Sequence, residues 1–594
     1  SNPLKMNVII GLSAGFHDSA VSVLSFSGDI LFASSEERFT RKKGDRSFPW
    51  SAIESAITFC LDRDYVIKKI CLHEDPLSVI RLRDFFSKKT RLSKFLDSLN
   101  SGVLILKSLF RLKKKLSLSF NDIYIGSHHT SHAYASIATS PVNNGIVLVL
   151  DAIGERSSGL IGQFKSSGLI TSRRLPIQKS LGLIYSCITV HCGFRVLTGE
   201  YKLMGLAPYG RPIYYSQLCE IFGDPTNLSY SISDIDFRSD TLISNQLTSA
   251  LQFAPRIPDS GDIEQKYADL AASAQHYLES AVVSIIENLD FPTPFNLVLG
   301  GGVSLNCKLN QLLSQHPMIK SLWSFPSGGD SGSAVGVCFE YLASRGIEFS
   351  KLDNVFLGPI YDSATITRAY QSYISHPLDQ RNIEKICVRL ENGMVGAIYS
   401  GRSEFGPRAL GNRSIIANPC RKEALAFINE KIKSREDFRP LAPIVLESCL
   451  SQYFQFEDSA TELYRFMLSL AQSKSYITQV FEPTEVISAR PSSDTNIPAV
   501  VHLDGSARIQ VVSDDDDRPI VHLLKTFALN HNKGILVNTS FNQRGEPIVE
   551  TPEDAISCFV ETGLNFLVVD DRVLFRDEQP DILLMKRSLS FDPD

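Results

Sequence analysis

The sequence contains eleven cysteines but no C-x-x-C pair; they stand singly at positions 60, 71, 187, 192, 219, 307, 338, 387, 420, 449 and 558. That spacing offers neither a zinc knuckle nor a disulfide framework, so reduced thiols are expected. Long hydrophobic runs are also missing. The nearest to the roughly 20 apolar residues that span a bilayer is Gly102 to Phe110, which is short and carries Lys107. No membrane span is expected. The N-terminus lacks a signal-peptide apolar region, so a cytoplasmic location is expected, and Ser1 to Lys5 ahead of Met6 read as an expression remnant. Nor is there an excess of one charge: 60 basic against 65 acidic residues give a net charge of -5. That balance supplies no global field for nucleic acid or an anionic membrane, and no nucleic-acid partner is expected.

What is present is an average soluble composition, 43% hydrophobic and 21% charged, over 594 residues. Single cores stop growing at roughly 250–300 residues, so at least two domains are expected. Met6 to Ala33 predicts a β-hairpin or meander. It has an apolar strand at Val8 to Ile10, a small-residue turn, His17-Asp18, a strand at Val21 to Leu24 and another at Ile30 to Phe32. A related pattern recurs at Gly145 to Phe164, where the strand Ile146 to Leu150 ends in Asp151 and the chain returns around Leu160. Two such units, each with an acid near the turn, suggest a duplicated half.

Apolar residues at three-to-four-residue spacing from Ile263 to Ile285 predict a helix over 261–288. A strand at Asn296 to Leu299, the run Gly300-Gly301-Gly302 and a helix from Leu305 to Gln315 follow. Such a loop lets backbone amides approach an anion or nucleotide, and serves equally well as a tight turn. Loop-like composition over 356–384 reads as a linker between a first domain at 6–355 and a second at 385–594. Strand signals at Met394 to Tyr399, Ile415 to Ala417, Ile509 to Val512, Gly534 to Val537 and Phe566 to Val569 predict a mixed α/β fold for the second.

His128 and His132 are spaced i, i+4. On a helix this stacks two imidazoles on one face, as a pair of metal ligands or as a polar helix start. Asp151, ending a strong strand, and Asp330, in the small-residue loop Ser327 to Gly332, favour the metal. Two His with two Asp make a mixed N/O shell suited to Fe(II), Mn(II) or Zn(II). His129 is spare, either an outer orienter or exposed. The basic stretch 81–115 reads as a solvated helical face or as a docking surface, and Asp514 to Asp517 as a solvated turn.

Longer motifs carry a resemblance. Phe16-His17-Asp18-Ser19-Ala20, Glu36-Glu37-Arg38-Phe39, His128-His129-x-x-His132-Ala133, Gly199 to Gly210, Gly301 to Asn306 and Gly328 to Gly332 occur in the order seen in the NodU/CmcH/TobZ family of O-carbamoyltransferases. Arg402 to Ser414, Lys433-x-Arg435-Glu436-x-Phe438-Arg439-Pro440, Asp504 to Gln510 and Asn538 to Pro547 resemble the family's C-terminal motifs. The resemblance covers nearly the whole chain.

It implies an α/β protein with an N-terminal duplicated domain of actin/hexokinase type (ASKHA) and a C-terminal YrdC-like domain. The implied chemistry is ATP-dependent. Carbamoyl phosphate and ATP, with Mg(II), form a carbamoyl-adenylate in the second domain, and the carbamoyl group passes in the first to a hydroxyl of a natural product or sugar derivative. Antibiotic or toxin biosynthesis is the implied setting, and a homodimer is compatible with it. His128, His132, Asp151 and Asp330 would bind Fe(II) or another divalent transition metal. His17 would be the general base or a hydrogen-bonded turn residue, while Glu200 and Lys202 would line the acceptor or nucleotide pocket.

Gly301, Gly302 and Asn306 resemble an adenosine-binding turn, with Gly329 nearby. Lys433, Arg435, Arg439, Arg508 and Arg544, with Asn538 of the last motif, would hold the anionic co-substrates; Arg408 and Arg413 lie in the glycine-rich motif, and about half of these arginines would serve instead as structural ion-pair partners. Gly44 departs from the His common in the family, which bears on acceptor preference. Two other readings are a tRNA threonylcarbamoyl-type transferase, which requires a basic RNA surface, and a non-catalytic nucleotide switch, which leaves the His/Asp set unexplained.

Overall fold

The computed structural model describes residues 5–15, 17–76, 91–155, 157–233, 235, 242–258, 261–349, 351–434, 439–475, 486–487 and 495–585, with 91–101 and 486–487 described by backbone alone. Contacts divide the chain into two compact units, Ser1–Thr40 with Gly44–Leu357, and Arg41–Lys43 with Gly358–Asp594.

The first unit uses one sheet design twice. Strands β1 (Asn7–Ser13), β2 (Ala20–Ser25), β3 (Ile30–Ser35), β4 (Val66–Leu72) and β5 (Ile123–Ile125) form a sheet in the order β3-β2-β1-β4-β5. The first three are antiparallel neighbours and the last two join in parallel. Strands β6 (Asn144–Gly154), β7 (Ser157–Lys165) and β8 (Gly168–Pro176), joined by Phe295–Gly300 and Ile319–Ser324, repeat that arrangement. The central strands β1 and β6 are covered on both faces, so they read as continuous apolar runs rather than alternating ones.

One sequence expectation changes here. Strand β6 does not end at Asp151 but continues to Gly154, with a register shift between Leu150 and Gly154. The irregularity turns Asp151 out of the ladder without ending the strand, which a hydrophobicity pattern does not reveal. The expected helix over 261–288 spans Gln265–Glu287, and the helix after the glycine loop is Cys307–Ser314.

Helix Ser333–Ala343 lies between the first sheet and helix His128–Thr139. Close approach is enforced at Gly336, where a Cβ would stand 1.8 Å from the Ser131 carbonyl oxygen. Most of the basic stretch belongs to helix Arg91–Lys115, while 77–90 lie outside the described residues. Ile105, Leu109 and Leu112 bury one face among Phe32, Phe59 and Ile70, and Leu104, Lys107, Phe110, Arg111 and Lys114 face solvent.

The second unit is built on a mixed sheet ordered His376–Pro377, Arg572–Phe575, Phe566–Val569, Gly396–Tyr399, Arg413–Ala417, Ile535–Ser540, Ala442–Leu446 and Gln510–Val512. Helices Gln380–Glu391 and Pro519–His531 bury Ile386, Leu390, Leu524 and Phe527 against Ile398, Ile416, Leu536 and Val568. Among the described residues, no helix is long and apolar enough to cross a membrane.

Candidate metal and transfer site

Strand ends assemble the site. The loop after β1 carries His17, the segment after β4 carries Glu74, β6 carries Asp151, and the turn after Ile319–Ser324 carries Asp330. Crevices outside the carboxyl ends of strands are the usual ligand sites of α/β sheets. Into this crevice helix His128–Thr139 projects His128 and His132, one turn apart, with ring centroids separated by 4.9 Å.

His128 Nε2 lies 3.2 Å from Asp151 Oδ2 and 3.6 Å from Asp330 Oδ1. His132 Nε2 lies 3.3 Å from each of the same two carboxylates. One donor atom from each of the four residues falls within 4.8 Å of the others. His132 Nε2 and Asp330 Oδ2 are nevertheless buried without hydrogen-bond partners. Nitrogen and oxygen donors that converge with these atoms unsatisfied fit a shared cation, and the mixed set suits a divalent first-row metal.

Electrostatics point the same way. Burial raises the Asp151 and Asp330 pKa values, but the surrounding imidazoles outweigh it and hold both below the ordinary carboxylate range. Burial opposes protonation of His128 and His132, yet the carboxylates win and raise both. His17 follows the same rule: burial is overcome by Asp330, Asp18 and Asp151, and its pKa rises to about 10. Its Nδ1 is 2.8 Å from Asp18 Oδ2 and its Nε2 3.3 Å from Asp330 Oδ2. The carboxylates therefore favour the protonated imidazole, and a cation bound to Asp330 and Asp151 would offset that by neutralising part of their charge. His129 is turned away: its Nδ1 pairs with Ser157 Oγ at 2.8 Å, and burial followed by His128 pushes its pKa well down.

The glycine loop abuts this cluster. Gly301 has φ +80, and a Cβ there would stand 2.3 Å from the Leu150 carbonyl oxygen; one at Gly302 would stand 3.5 Å from Asp151 Oδ1. A Cβ at Gly329, just before Asp330, would meet nothing within 4 Å. Asn306 caps helix Cys307–Ser314, accepting from the Leu309 amide at 2.9 Å and donating to Gln275 Oε1 at 3.0 Å. Glu200 and buried Lys202 share helix Glu200–Leu206, where the Glu200 carboxylate accepts from Ser186 Oγ at 2.6 Å and the Leu197 amide at 3.1 Å.

In the second unit, Asn538 donates to Gln510 Oε1 at 2.7 Å and to the Ala409 carbonyl at 3.1 Å. Buried Lys433 donates to the Ser540 and Asn542 carbonyls, each at 2.7 Å, and so ties down the Asn538 to Pro547 motif. Arg544 is half-buried and donates to the Ser434 carbonyl at 3.0 Å, whereas Arg413 is fully buried over the Tyr399 ring and donates to the Ser400, Gly401 and Asn412 carbonyls. Arg508 follows the Ser506–Ala507 strand and has its Nε buried. Arg439 accepts at its carbonyl from Asn429 at 3.4 Å, and Arg435 lies outside the described residues.

Sequence reasoning missed Glu74, whose Oε2 lies 3.0 Å from His128 Nδ1. An acid after an apolar stretch (Val66-Ile67, Ile70, Leu72) was the available signal, the same one that singled out Asp151.

A two-unit α/β protein with a buried His/Asp cluster in its first unit is matched across both units by one enzyme class. Residues 8–339 match the carbamoyltransferase N-terminus model and residues 387–576 the carbamoyltransferase C-terminus model. The chain belongs to this carbamoyltransferase family, the NodU/CmcH family of the sequence motifs, and is a carbamoyltransferase. It is 34% identical to an uncharacterized protein of Synechocystis sp., over 97% of this chain and 98% of that one. It is also similar to nodulation protein NolNO of Sinorhizobium fredii, 29% identical over 93% of this chain and 78% of the relative. Similarity to 3'-hydroxymethylcephem-O-carbamoyltransferase of Amycolatopsis lactamdurans is 26% identity, over 75% of this chain and 80% of the relative.

Proposed function

We propose that this protein is an ATP-dependent O-carbamoyltransferase. It makes carbamoyl-adenylate from carbamoyl phosphate, water and ATP, with Mg(II), releasing phosphate and pyrophosphate on a YrdC-like second unit, and transfers the carbamoyl group to a hydroxyl of a small natural product or sugar derivative on an ASKHA-type first unit. The convergence of His17 on the His128, His132, Asp151 and Asp330 cluster carries this reading, and the O-carbamoyltransferase relative supports it. His128, His132, Asp151 and Asp330 would hold a divalent transition metal such as Fe(II), which would supply Lewis-acid polarisation of the carbamoyl group.

His17 takes the acceptor proton at Nε2 while Asp18 fixes Nδ1. The acceptor oxygen forms a bond to the carbamoyl carbon, and the bond from that carbon to the AMP oxygen breaks. Gly301, Gly302, Asn306 and Gly329 seat the nucleotide, and Glu200 and Lys202 border it or the acceptor. Lys433, Arg435, Arg439, Arg508, Arg544 and Asn538 shape the anion site of the second unit, either by direct charge-assisted bonds or by fixing its loops. A cytoplasmic location, a role in antibiotic or toxin biosynthesis and a homodimer belong to the same reading.

Incubation with carbamoyl phosphate, ATP and a library of hydroxylated acceptors should release AMP and yield a carbamoylated product by mass spectrometry. His128→Ala should abolish product while pyrophosphate release in the second unit persists. Loss of both half-reactions in a folded variant would contradict the division between units.

A further inference from the structure

Behind the His/Asp cluster stands a carboxylate that the reaction scheme does not use. Glu74 is 4% exposed and follows strand β4. The backbone of its neighbour His73 is clamped from two sides: its amide donates to the Leu12 carbonyl at 3.0 Å, and its own carbonyl accepts from Ser131 Oγ, on the helix that carries His128, at 3.2 Å. Glu74 Oε2 lies 3.0 Å from His128 Nδ1, and Oε1 lies 3.6 Å from His73 Nε2.

At 3.0 Å the Glu74 carboxylate oxygen accepts a ring N–H, so the proton of a neutral His128 is drawn to Nδ1. The opposite nitrogen, Nε2, is then left with its lone pair facing Asp151 and Asp330. Outer carboxylates that orient ligating imidazoles in this way fix the tautomer and raise ligand basicity.

We propose that Glu74 is a positioning residue that holds His128 in the Nδ1–H tautomer and thereby sets the affinity of the His128, His132, Asp151 and Asp330 site for a divalent transition metal. The inference rests on the reading of those four residues as metal ligands. A different assignment of the same atoms, a second cation among His73, Glu74 and His128, predicts another stoichiometry and is separated by the same experiment.

The test titrates Co(II) alone into the full-length protein under anaerobic conditions, with a competing chelator, and follows the visible d–d bands. Wild type is expected to bind one Co(II) per chain, and His128→Ala to lose it. Glu74→Ala should still bind one, about 10- to 100-fold more weakly and with shifted bands. Glu74→Gln, which keeps an acceptor and the side-chain shape, should fall between the two and covers the case in which Glu74→Ala fails to fold. Unchanged affinity and bands in Glu74→Gln and Glu74→Ala, with His128→Ala still defective, would overturn the positioning role and leave the metal site standing. Two Co(II) in wild type and one in Glu74→Ala would overturn it in favour of Glu74 as a ligand. No Co(II) bound by wild type would overturn both readings together.

Discussion

Gly154 lies against the imidazole of His128: a methyl group on its Cα would stand 2.3 Å from His128 Cδ2. The bulged end of β6 thus passes over the His128 ring with no room for a side chain. Gly154→Ala is expected to cost about 1–3 kcal/mol of stability in urea unfolding by overpacking. It should also weaken Co(II) binding at least about tenfold by displacing the ring. Wild-type affinity in a stable Gly154→Ala protein would show that His128 can move without consequence.

Glu340 anchors the start of the helix that carries His128 and His132, accepting from the Ser127 amide at 3.3 Å, Ser131 Oγ at 3.1 Å and Tyr124 Oη at 3.3 Å. Burial, opposed by these bonds, pushes its pKa up from 4.5 to about 7. Because the folded-state value is the higher one, the unfolded chain loses its proton first, and stability falls as pH rises between those two values. The full loss is on the order of 3 kcal/mol. Glu340→Gln should flatten this part of the profile, gaining relative to wild type at pH 8 but not at pH 4. Equal pH profiles by chemical denaturation would refute the assignment.

Asn306 is both a helix cap and part of the proposed nucleotide turn. Asn306→Ala should cost about 1–2 kcal/mol through loss of the cap. If the nucleotide also relies on this turn, carbamoyl transfer should slow more than the loss of folded protein explains. A destabilised variant with an unchanged rate per folded molecule would confine Asn306 to the cap.

Arginines of the second unit divide by burial. Arg413→Lys should destabilise the protein by about 3 kcal/mol, because several carbonyls lose charged hydrogen bonds at once. Arg544→Ala, at a half-buried position with a hydrogen bond to the Ser434 carbonyl, should cost about 1 kcal/mol, less than Arg413→Lys, yet slow pyrophosphate release from carbamoyl phosphate and ATP. Thermal melts and a pyrophosphate assay separate the two effects.

Much of this was legible from local pattern. The β1–β2–β3 meander, the strand leading into Asp151, the i, i+4 spacing of His128 and His132 and the Gly301 loop all follow from residue type and short spacing. Asp330 was found because it stands in a glycine-flanked turn before an apolar helix. Less visible was the continuation of β6 to Gly154, since a bulge leaves the apolar pattern intact. The roles of Lys433 and Arg413 were blurred as well, because a cation that binds a ligand and one that binds carbonyls look alike in sequence.

By itself the sequence determined two α/β units, the repeated strand pattern and, through its long motifs, the carbamoyltransferase family. Hydrophobic periodicity and glycine placement act over a few residues, and they specify elements rather than neighbours. Only the tertiary structure decided that Glu74 backs His128, that His17 faces Asp330, and that Asn306 spends its side chain on a helix cap. Those relationships join residues brought together by strand order and helix packing, and the ionisation state of each follows from which charges the fold buries beside it.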